Sequence, residues 1–230
     1  MKVIAVIQAR MGSQRLPQKT LKNISGRSLL SIVINSVKQN VFISDVIVAT
    51  STNIEDDAIE NECLRLNIEC FRGHPENVLS RYLEVAQQFQ PTDCIARVTA
   101  DNPVNDVMAT KKLFDLHQKN KADYTCVQGL SHTVYEFINV DALLKLQTVE
   151  ELTAEDKEHV TNYFRTHPED FKVQQVPAQK IGVDKTIDKL FTIDTKEDFE
   201  RWTEVSRHFD LAKTPEFNQL TNYFKNTVNA

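Results

Sequence analysis

Three positive side chains follow the first apolar segment of the chain within ten residues. Arg10, Arg15 and Lys19 lie in the stretch QARMGSQRLPQK, residues 8–19. A triphosphate needs such cations together with backbone N–H donors, and Gly12 lets the backbone turn and approach a ligand. The spacing matches neither G-x-G-x-x-G nor the Walker A pattern, which disfavours a dinucleotide cofactor or a P-loop ATPase. The stretch therefore favours a phosphate site, and the alternative is a solvated basic loop.

A carboxylate follows a later strand pattern. Asp101 lies in RVTADNP, residues 97–103, just past the mostly apolar run 94–99, and Pro103 ends that strand. A carboxylate at the carboxyl edge of a parallel sheet suits a hard, oxygen-liganded cation such as Mg²⁺ bridging phosphates. An Asp before Asn-Pro is more often a turn residue, so spacing leaves both interpretations open.

A second carboxylate, Asp194, closes the apolar run 189–193, which is predicted as a strand. Thr195 and Asp198 have the spacing of a capping box at the start of the next helix. Asp194 then either has no role of its own beside that cap or is a second metal ligand together with Asp101. Spacing alone does not decide between these two roles.

The elements that position these residues alternate between strand and helix patterns. Strands are predicted over 2–8, 45–50, 68–71, 94–99, 124–127, 134–138, 171–176 and 189–193. Helices are predicted near 29–37, 53–66, 75–89, 107–118, 140–146, 154–166, 196–209 and 215–226. The alternation predicts an α/β fold with a mainly parallel, doubly wound central sheet and right-handed crossovers. We expect a single Rossmann-like domain over residues 1–230, with a lid or dimerisation excursion around 123–150.

Composition limits the function classes. The chain has 230 residues, 41% of them hydrophobic, which suffices for one domain with a sizeable core. Its net charge of −5 argues against a general nucleic-acid binder. The apolar start is too short for a signal peptide or a membrane span, so we expect a cytoplasmic protein without a membrane partner. The four cysteines form no C-x-x-C pair and are predicted as buried thiols of a reducing compartment.

The motifs together resemble a known family. The chain resembles the cytidylyltransferases that include spore-coat polysaccharide biosynthesis protein F, which are similar to CMP-sialate and CMP-KDO synthetases. The matching blocks occur in family order: QARMGSxRLP (8–17), ATSTN (49–53) with EDD (55–57), FRG (71–73) with NVL (77–79), RVTADNP (97–103), EHVT (158–161) and IDTxED (193–198).

The resemblance implies a glycosyltransferase-A-like α/β sandwich, CTP as donor, a sugar or sugar-acid acceptor, Mg²⁺ as cofactor and a homodimer. It also implies roles for individual residues. The nucleotide would be bound by Gln8, Ala9, Arg10, Met11, Gly12, Ser13, Arg15 and Lys19, with Thr50, Ser51, Asn77 and Arg81 near the base and ribose. Asp101 and Asp194 would hold the metal, and Glu136 and His159 would face the acceptor.

The expected reaction is transfer of CMP from CTP with release of pyrophosphate. Arg10, Arg15 and Lys19 would act on the phosphates, and Asp101 and Asp194 would act through the metal, since no side chain is an obvious general base. The alternatives are a nucleotidyltransferase with another NTP or a sugar-phosphate acceptor, a glycosyltransferase, and a non-catalytic nucleotide-binding partner. Arg81 has the alternative of an exposed, acid-paired helix residue, and His159 that of a helix-surface residue.

Overall fold

The computed structural model describes residues 1–129 and 131–228. Its strands are β1 (Val3–Gln8), β2 (Asn23–Ile24), β3 (Arg27–Ser28), β4 (Asp45–Ser51), β5 (Glu69–Gly73), β6 (Cys94–Thr99), β7 (Tyr124–Val127), β8 (Glu136–Asn139) and β9 (Val173–Val176). Its α-helices are α1 (Leu29–Lys38), α2 (Asp57–Leu66), α3 (Val78–Ala86), α4 (Val107–Asn120), α5 (Val140–Lys145), α6 (Ala154–Glu158), α7 (Asn162–Thr166), α8 (Ala178–Ile181), α9 (Lys196–His208) and α10 (Phe217–Val228).

A seven-stranded central sheet has the order β5-β4-β1-β6-β8-β7-β9. Strand β8 runs antiparallel to β6 and β7, and the other neighbouring strands are parallel. The carboxyl ends of β5, β4, β1 and β6 therefore meet at one edge of the sheet. The predicted mainly parallel α/β sheet is confirmed, and its switch in strand direction lies beside β6.

Strand β1 shows why both faces of the sheet are covered. Val3, Ala5 and Ile7 pack into one buried cluster with residues of α1, α2, α4, α9 and α10. Ile4 and Val6 point the opposite way and pack with residues of α3, α5 and α7. A strand that is apolar at every position needs helices on both sides, because alternate side chains point to opposite faces. We name these faces the Ile7 face and the Val6 face.

Two local predictions are wrong. Residues 189–193 do not form a strand: a 3₁₀ helix covers Asp188–Phe191, and its Phe191 ring stacks on Phe217 with ring centroids 4.8 Å apart. Phe191 is thus buried by aromatic packing instead of strand pairing. The predicted helix over 154–166 is broken into α6 and α7, because His159 adopts a non-helical backbone with φ −107° and ψ 87°.

The segment 123–150 contributes β7, β8 and α5 to the central sheet and to the core of its Val6 face. A role of this segment in closure or dimerisation stays a prediction. Within the part of the chain that the structure describes, no helix combines the length and apolarity needed to cross a membrane.

Candidate active site

A cavity of about 880 Å³ opens at the carboxyl edge of β1 and β6. This volume lies in the range of about 300–1,000 Å³ that is common for small-molecule sites. Most of the predicted site residues line it: Gln8, Ala9, Arg10, Gly12, Ser13, Arg15, Lys19, Arg81, Asp101, His159 and Asp194. The position agrees with the rule that open α/β sheets bind ligands outside the carboxyl ends of their strands.

The loop after β1 is fixed by hydrogen bonds to its surroundings. The Ala9 N–H donates to the Ala49 carbonyl at 3.1 Å, which extends the β1–β4 pairing by one residue. The Thr20 hydroxyl donates to the Arg10 carbonyl at 2.8 Å. Buried Leu16 anchors the far end of the loop in the core. The cationic side chains of the loop are therefore carried on a restrained backbone.

Asp56 is a positioning residue of this loop that the sequence interpretation did not assign. Its Oδ1 accepts a hydrogen bond from the Met11 N–H at 2.7 Å, and its Oδ2 accepts one from the Ser51 hydroxyl. Only 1% of Asp56 is exposed. The residue lies within the matched EDD block, but only the fold shows that it joins the loop after β1 to the end of β4.

Gly12 lies close to a neighbouring side chain and does not have a positive φ. A Cβ at this position would be 3.1 Å from Oε1 of Glu55. The glycine therefore permits a close approach between the loop and the segment that carries Asp56. The expected approach to a bound ligand stays a prediction.

Two carboxylates converge on one ammonium group. Nζ of Lys19 lies 3.0 Å from Oδ2 of Asp101 and 2.8 Å from Oδ1 of Asp194. Arg15 is farther out, with its Nη2 3.4 Å from Oδ2 of Asp194. The predicted convergence of the two aspartates, 93 residues apart in the numbering, is thus seen in the structure.

Asp194 reaches this position without ending a strand. The Ile193 N–H donates to the Asp101 carbonyl at 2.9 Å, which joins the two carboxylate-bearing segments through their backbones. The Asp194 N–H donates to Oδ2 of Asp198 at 2.9 Å. Thr195 and Asp198 form the predicted capping box of α9. The cap and the site are therefore built from the same turn.

The pKa of Asp101 lies below its ordinary value. Burial by itself would raise that pKa, but the charge of Lys19 and hydrogen bonds from Thr99 and Lys19 outweigh burial. Asp101 is therefore ionised at neutral pH. The two aspartates can hold a cation, and Lys19 beside them can orient a phosphate group.

Arg81 is buried, so the alternative of an exposed, acid-paired helix residue is wrong. Only 2% of Arg81 is exposed, and its Nε and Nη1 make no hydrogen bond within the described residues. Burial lowers the pKa of its guanidinium. Its Cγ lies 2.8 Å from where a Cβ on Gly73 would be, so the glycine makes the space for it. The side chain borders the cavity with unused donors.

The remaining predicted residues do not line the cavity. Met11 and Ser51 are bound to Asp56, and the buried Thr50 hydroxyl makes no hydrogen bond within the described residues. Asn77 is the N-cap of α3, where its side chain accepts from the Ser80 N–H at 2.9 Å.

Glu136 is also held away from the cavity. Its Oε2 lies 3.2 Å from Nη1 of Arg97, and its Oε1 accepts from Nη2 of Arg165. Burial would raise the pKa of Glu136, but the two guanidiniums and a Thr161 hydrogen bond lower it below the ordinary value. Arg97, in contrast, does line the cavity.

The rim of the cavity carries His159, which is exposed at the end of α6 and lies off the body of that helix. Its neighbour Glu158 lies 3.8 Å from Nη2 of Arg10. Further lining residues that were not predicted are Gln14, Thr20, Val78, Arg97, Thr99, Ala100 and Glu158. Several of them lie inside the matched sequence blocks, so block membership was the signal that could have identified them.

Comparisons with known proteins identify the family of the chain. The sequence profile of the cytidylyltransferase family matches residues 4–228. The spore coat polysaccharide biosynthesis protein SpsF of Bacillus subtilis is 34% identical over 203 residues, which cover 86% of this chain and 83% of that protein.

Solved structures share the fold. A cytidylyltransferase from Leptospira borgpetersenii superposes with a TM-score of 0.86 at 27% identity, covering 99% of this chain and 96% of that one. A CMP:2-keto-3-deoxy-manno-octonic acid synthetase solved with CTP has a TM-score of 0.67 at 15% identity, covering 90% of this chain and 99% of that one. The second likeness is one of fold.

Proposed function

The chain belongs to the cytidylyltransferase family, and from that premise we propose that it transfers CMP from CTP to a hydroxyl of a sugar or sugar acid with release of pyrophosphate. The observation that carries the proposal is the convergence of Lys19, Asp101 and Asp194 beside the cationic loop after β1. The name of SpsF, a spore coat polysaccharide biosynthesis protein, supports a role of the product in glycan biosynthesis.

CTP lies in this proposal along the edge of the sheet, with its triphosphate on the loop that carries Arg10, Arg15 and Lys19. The synthetase of the same fold that was solved with CTP supports this donor. Arg81 would meet the base or ribose, because it offers unused donors from a buried position. Asp56 would keep the loop in place before CTP arrives.

Mg²⁺ is the proposed cofactor, and the side chains present fit it. Asp101 and Asp194 offer hard carboxylate oxygens around one point, and Mg²⁺ is usually held by one or two carboxylates together with phosphates and water. Among residues 1–129 and 131–228, no group of three or more His, Cys, Asp and Glu side chains could hold a metal. Asp101 and Asp194 would hold the ion, and when bound it would neutralise phosphate charge and lower the pKa of the acceptor hydroxyl.

The residues of the chain would contribute position and charge. The acceptor oxygen forms a bond to the α-phosphorus, the bond from that phosphorus to the α–β bridging oxygen breaks, and the hydroxyl proton passes to water. Lys19 and Arg15 stabilise the negative charge that builds up on the departing pyrophosphate. The restrained loop keeps these cations aligned with the leaving group, which lowers the entropic cost of reaching the transition state.

Pyrophosphate release tests the proposal. We expect release that depends on both CTP and an acceptor, with product mass equal to the acceptor plus CMP. Asp101→Asn keeps the shape but removes a negative charge, so turnover should fall by about 10²-fold. Metal-free CTP binding of this variant should stay close to wild type. Turnover near the wild-type rate in Asp101→Asn would refute the role of the aspartate pair.

The nucleotide itself is tested by comparing CTP with ATP, GTP and UTP. Release with another NTP at an equal rate would favour the broader nucleotidyltransferase alternative. Consumption of a nucleotide sugar without pyrophosphate would favour a glycosyltransferase. CTP binding without any turnover would favour a non-catalytic partner. A homodimer, proposed from the family resemblance, is tested by sedimentation.

A further inference from the structure

A half-buried arginine forms part of the cavity on the Val6 face, apart from the loop after β1 that carries Arg10, Arg15 and Lys19, here called the phosphate loop. Arg97 pairs in register with Val6 on one side and with Glu136 on the other. It lies two residues before Thr99, the end of β6, and so about 7 Å deeper along the strand. Arg97 borders the same cavity as Lys19. It therefore reaches a part of the cavity that lies away from the sheet edge.

Glu136 holds Arg97 in this place. Glu136 is 9% exposed, and each of its carboxylate oxygens is bound by a different arginine, Arg97 or Arg165. Arg165 in turn lies over the Tyr124 ring, with its Cζ 5.7 Å from the ring centroid. Glu136 does not border the cavity. Its position fits a residue that acts through Arg97 instead of one that meets the acceptor directly.

The charges of this group do not balance. Two guanidiniums share one carboxylate, which leaves one positive charge in excess. Nε of Arg97 is buried and makes no hydrogen bond within the described residues. The Arg97 side chain is only 15% exposed, and a charge that has lost most of its water is costly unless it is paired. An excess cation at a cavity wall therefore indicates an anionic partner in the ligand.

The triphosphate that the phosphate loop would bind is not positioned to be that anionic partner. Arg15 and Lys19 follow β1. Both contact Asp194, which lies just before α9, and Lys19 also contacts Asp101, which follows β6. Arg97 lies within β6, beside the antiparallel strand β8 and away from β4 and β5. The two cationic regions can therefore bind two anionic groups at the same time.

We infer that Arg97 binds an anionic group of the acceptor, a carboxylate or a phosphate, and that Glu136 positions it. This inference rests on the proposed CMP transfer, because it assigns the far part of the cavity to the second substrate. Glu136 then positions Arg97, whereas the family resemblance implied that Glu136 contacts the acceptor directly. The inference excludes an uncharged sugar as the preferred acceptor.

Acceptor charge is the first arm of the test. CTP is combined with three kinds of probe: the carboxylates 3-deoxy-manno-octulosonate and N-acetylneuraminate, the phosphate glucose 1-phosphate, and uncharged glucose and N-acetylglucosamine. We expect pyrophosphate release with a carboxylate or phosphate probe, and the active kind identifies the anion. Preferred use of an uncharged sugar overturns the inference while leaving CMP transfer intact.

Binding measurements distinguish a failure of the Arg97 assignment from a failure of the proposed CMP transfer. The CTP complex in EDTA is titrated calorimetrically with each probe. If CTP binds and no anionic probe binds or reacts, the inference about Arg97 is overturned. If CTP neither binds nor releases pyrophosphate with any probe, the proposed function fails instead.

Three variants then test the roles of the arginines. Arg97→Gln should raise the KM of the active probe by about tenfold to a hundredfold, while the KM of CTP stays within about twofold. Arg165→Gln is the matched control. Like Arg97→Gln, it removes a positive charge beside Glu136, but Arg165 does not border the cavity. It should lower Tm and leave the acceptor KM within about threefold.

The double variant Arg97→Gln/Glu136→Gln tests whether Arg97 binds the acceptor or only neutralises Glu136. If Arg97 only neutralises Glu136, removing both charges restores the acceptor KM, and the inference is wrong. If Arg97 binds the acceptor, the acceptor KM stays high although the buried charge has been removed. A rise in the KM of CTP in place of that of the acceptor would also overturn the assignment.

Discussion

Replacing Asp56 with Asn tests whether one buried carboxylate holds the phosphate loop. The carboxylate accepts from the Met11 N–H at 2.7 Å and from the Ser51 hydroxyl, and only 1% of the residue is exposed. Asn keeps the volume and one acceptor oxygen, but it removes the negative charge and one acceptor. Hydrogen bonds to charged groups contribute about 1.5–3 kcal/mol each, so Asp56→Asn should lower the free energy of unfolding by about that amount.

The same change should weaken CTP binding. A loop that loses its anchor must be ordered when CTP binds, and fixing one residue costs about 1–2 kcal/mol. We therefore expect the Kd of CTP to rise by about tenfold. Urea unfolding gives the stability change, and isothermal titration calorimetry gives the Kd.

Asp57→Asn is the matched control. Asp57 is the next residue and is also an aspartate, but 53% of its side chain is exposed, and its partner is Arg72. This variant should stay within about 0.5 kcal/mol of wild type, as expected for an exposed ion pair. Equal effects of the two variants, or a stability loss in Asp56→Asn with unchanged CTP affinity, would refute the positioning role.

The remaining predictions concern the cavity walls and the buried glutamate. Arg15→Ala should weaken CTP binding by about 1.5–3 kcal/mol in calorimetry, and unchanged affinity would count against the loop as the triphosphate site. Gly73→Ala places a Cβ 2.8 Å from Cγ of Arg81, so it should cost about 1–3 kcal/mol of unfolding free energy; a urea midpoint equal to wild type would contradict this packing. The pKa of Glu136 is lowered in the fold, so its ionised form contributes stability above its unfolded pKa of about 4.3, and that contribution is lost as pH falls through the folded pKa. The stability difference between wild type and Glu136→Gln should therefore shrink in unfolding curves taken below about pH 4. A pH-independent difference would contradict the ion pairing of Glu136 with Arg97 and Arg165.

Local patterns in the sequence predicted the elements that depend on near neighbours. The apolar run of β1 predicted a strand buried on both faces, because successive side chains alternate and both directions were apolar. Thr195 and Asp198 predicted a capping box, since that cap needs only residues three apart. The cations after β1 were visible for the same reason: a loop of a few residues holds them together in any fold.

Tertiary structure decided which distant residues meet. Spacing left Asp194 open between a helix cap and a ligand, and the contact of Lys19 with both Asp101 and Asp194 exists only because the chain returns to the carboxyl end of β6. The predicted strand before Asp194 was wrong because aromatic packing of Phe191 competes with strand pairing, and an apolar run does not reveal which partner it will have.

Burial of charged residues was the other property that only the fold determined. Arg81 occupies a helix position that could equally face solvent, and it is buried because Gly73 leaves room at the end of a neighbouring strand. Asp56 and Arg97 likewise gain their roles from residues far away in sequence, Met11 and Glu136. A charge becomes costly, and so informative, only after packing removes its water, and that cost depends on long-range contacts that a local pattern does not contain.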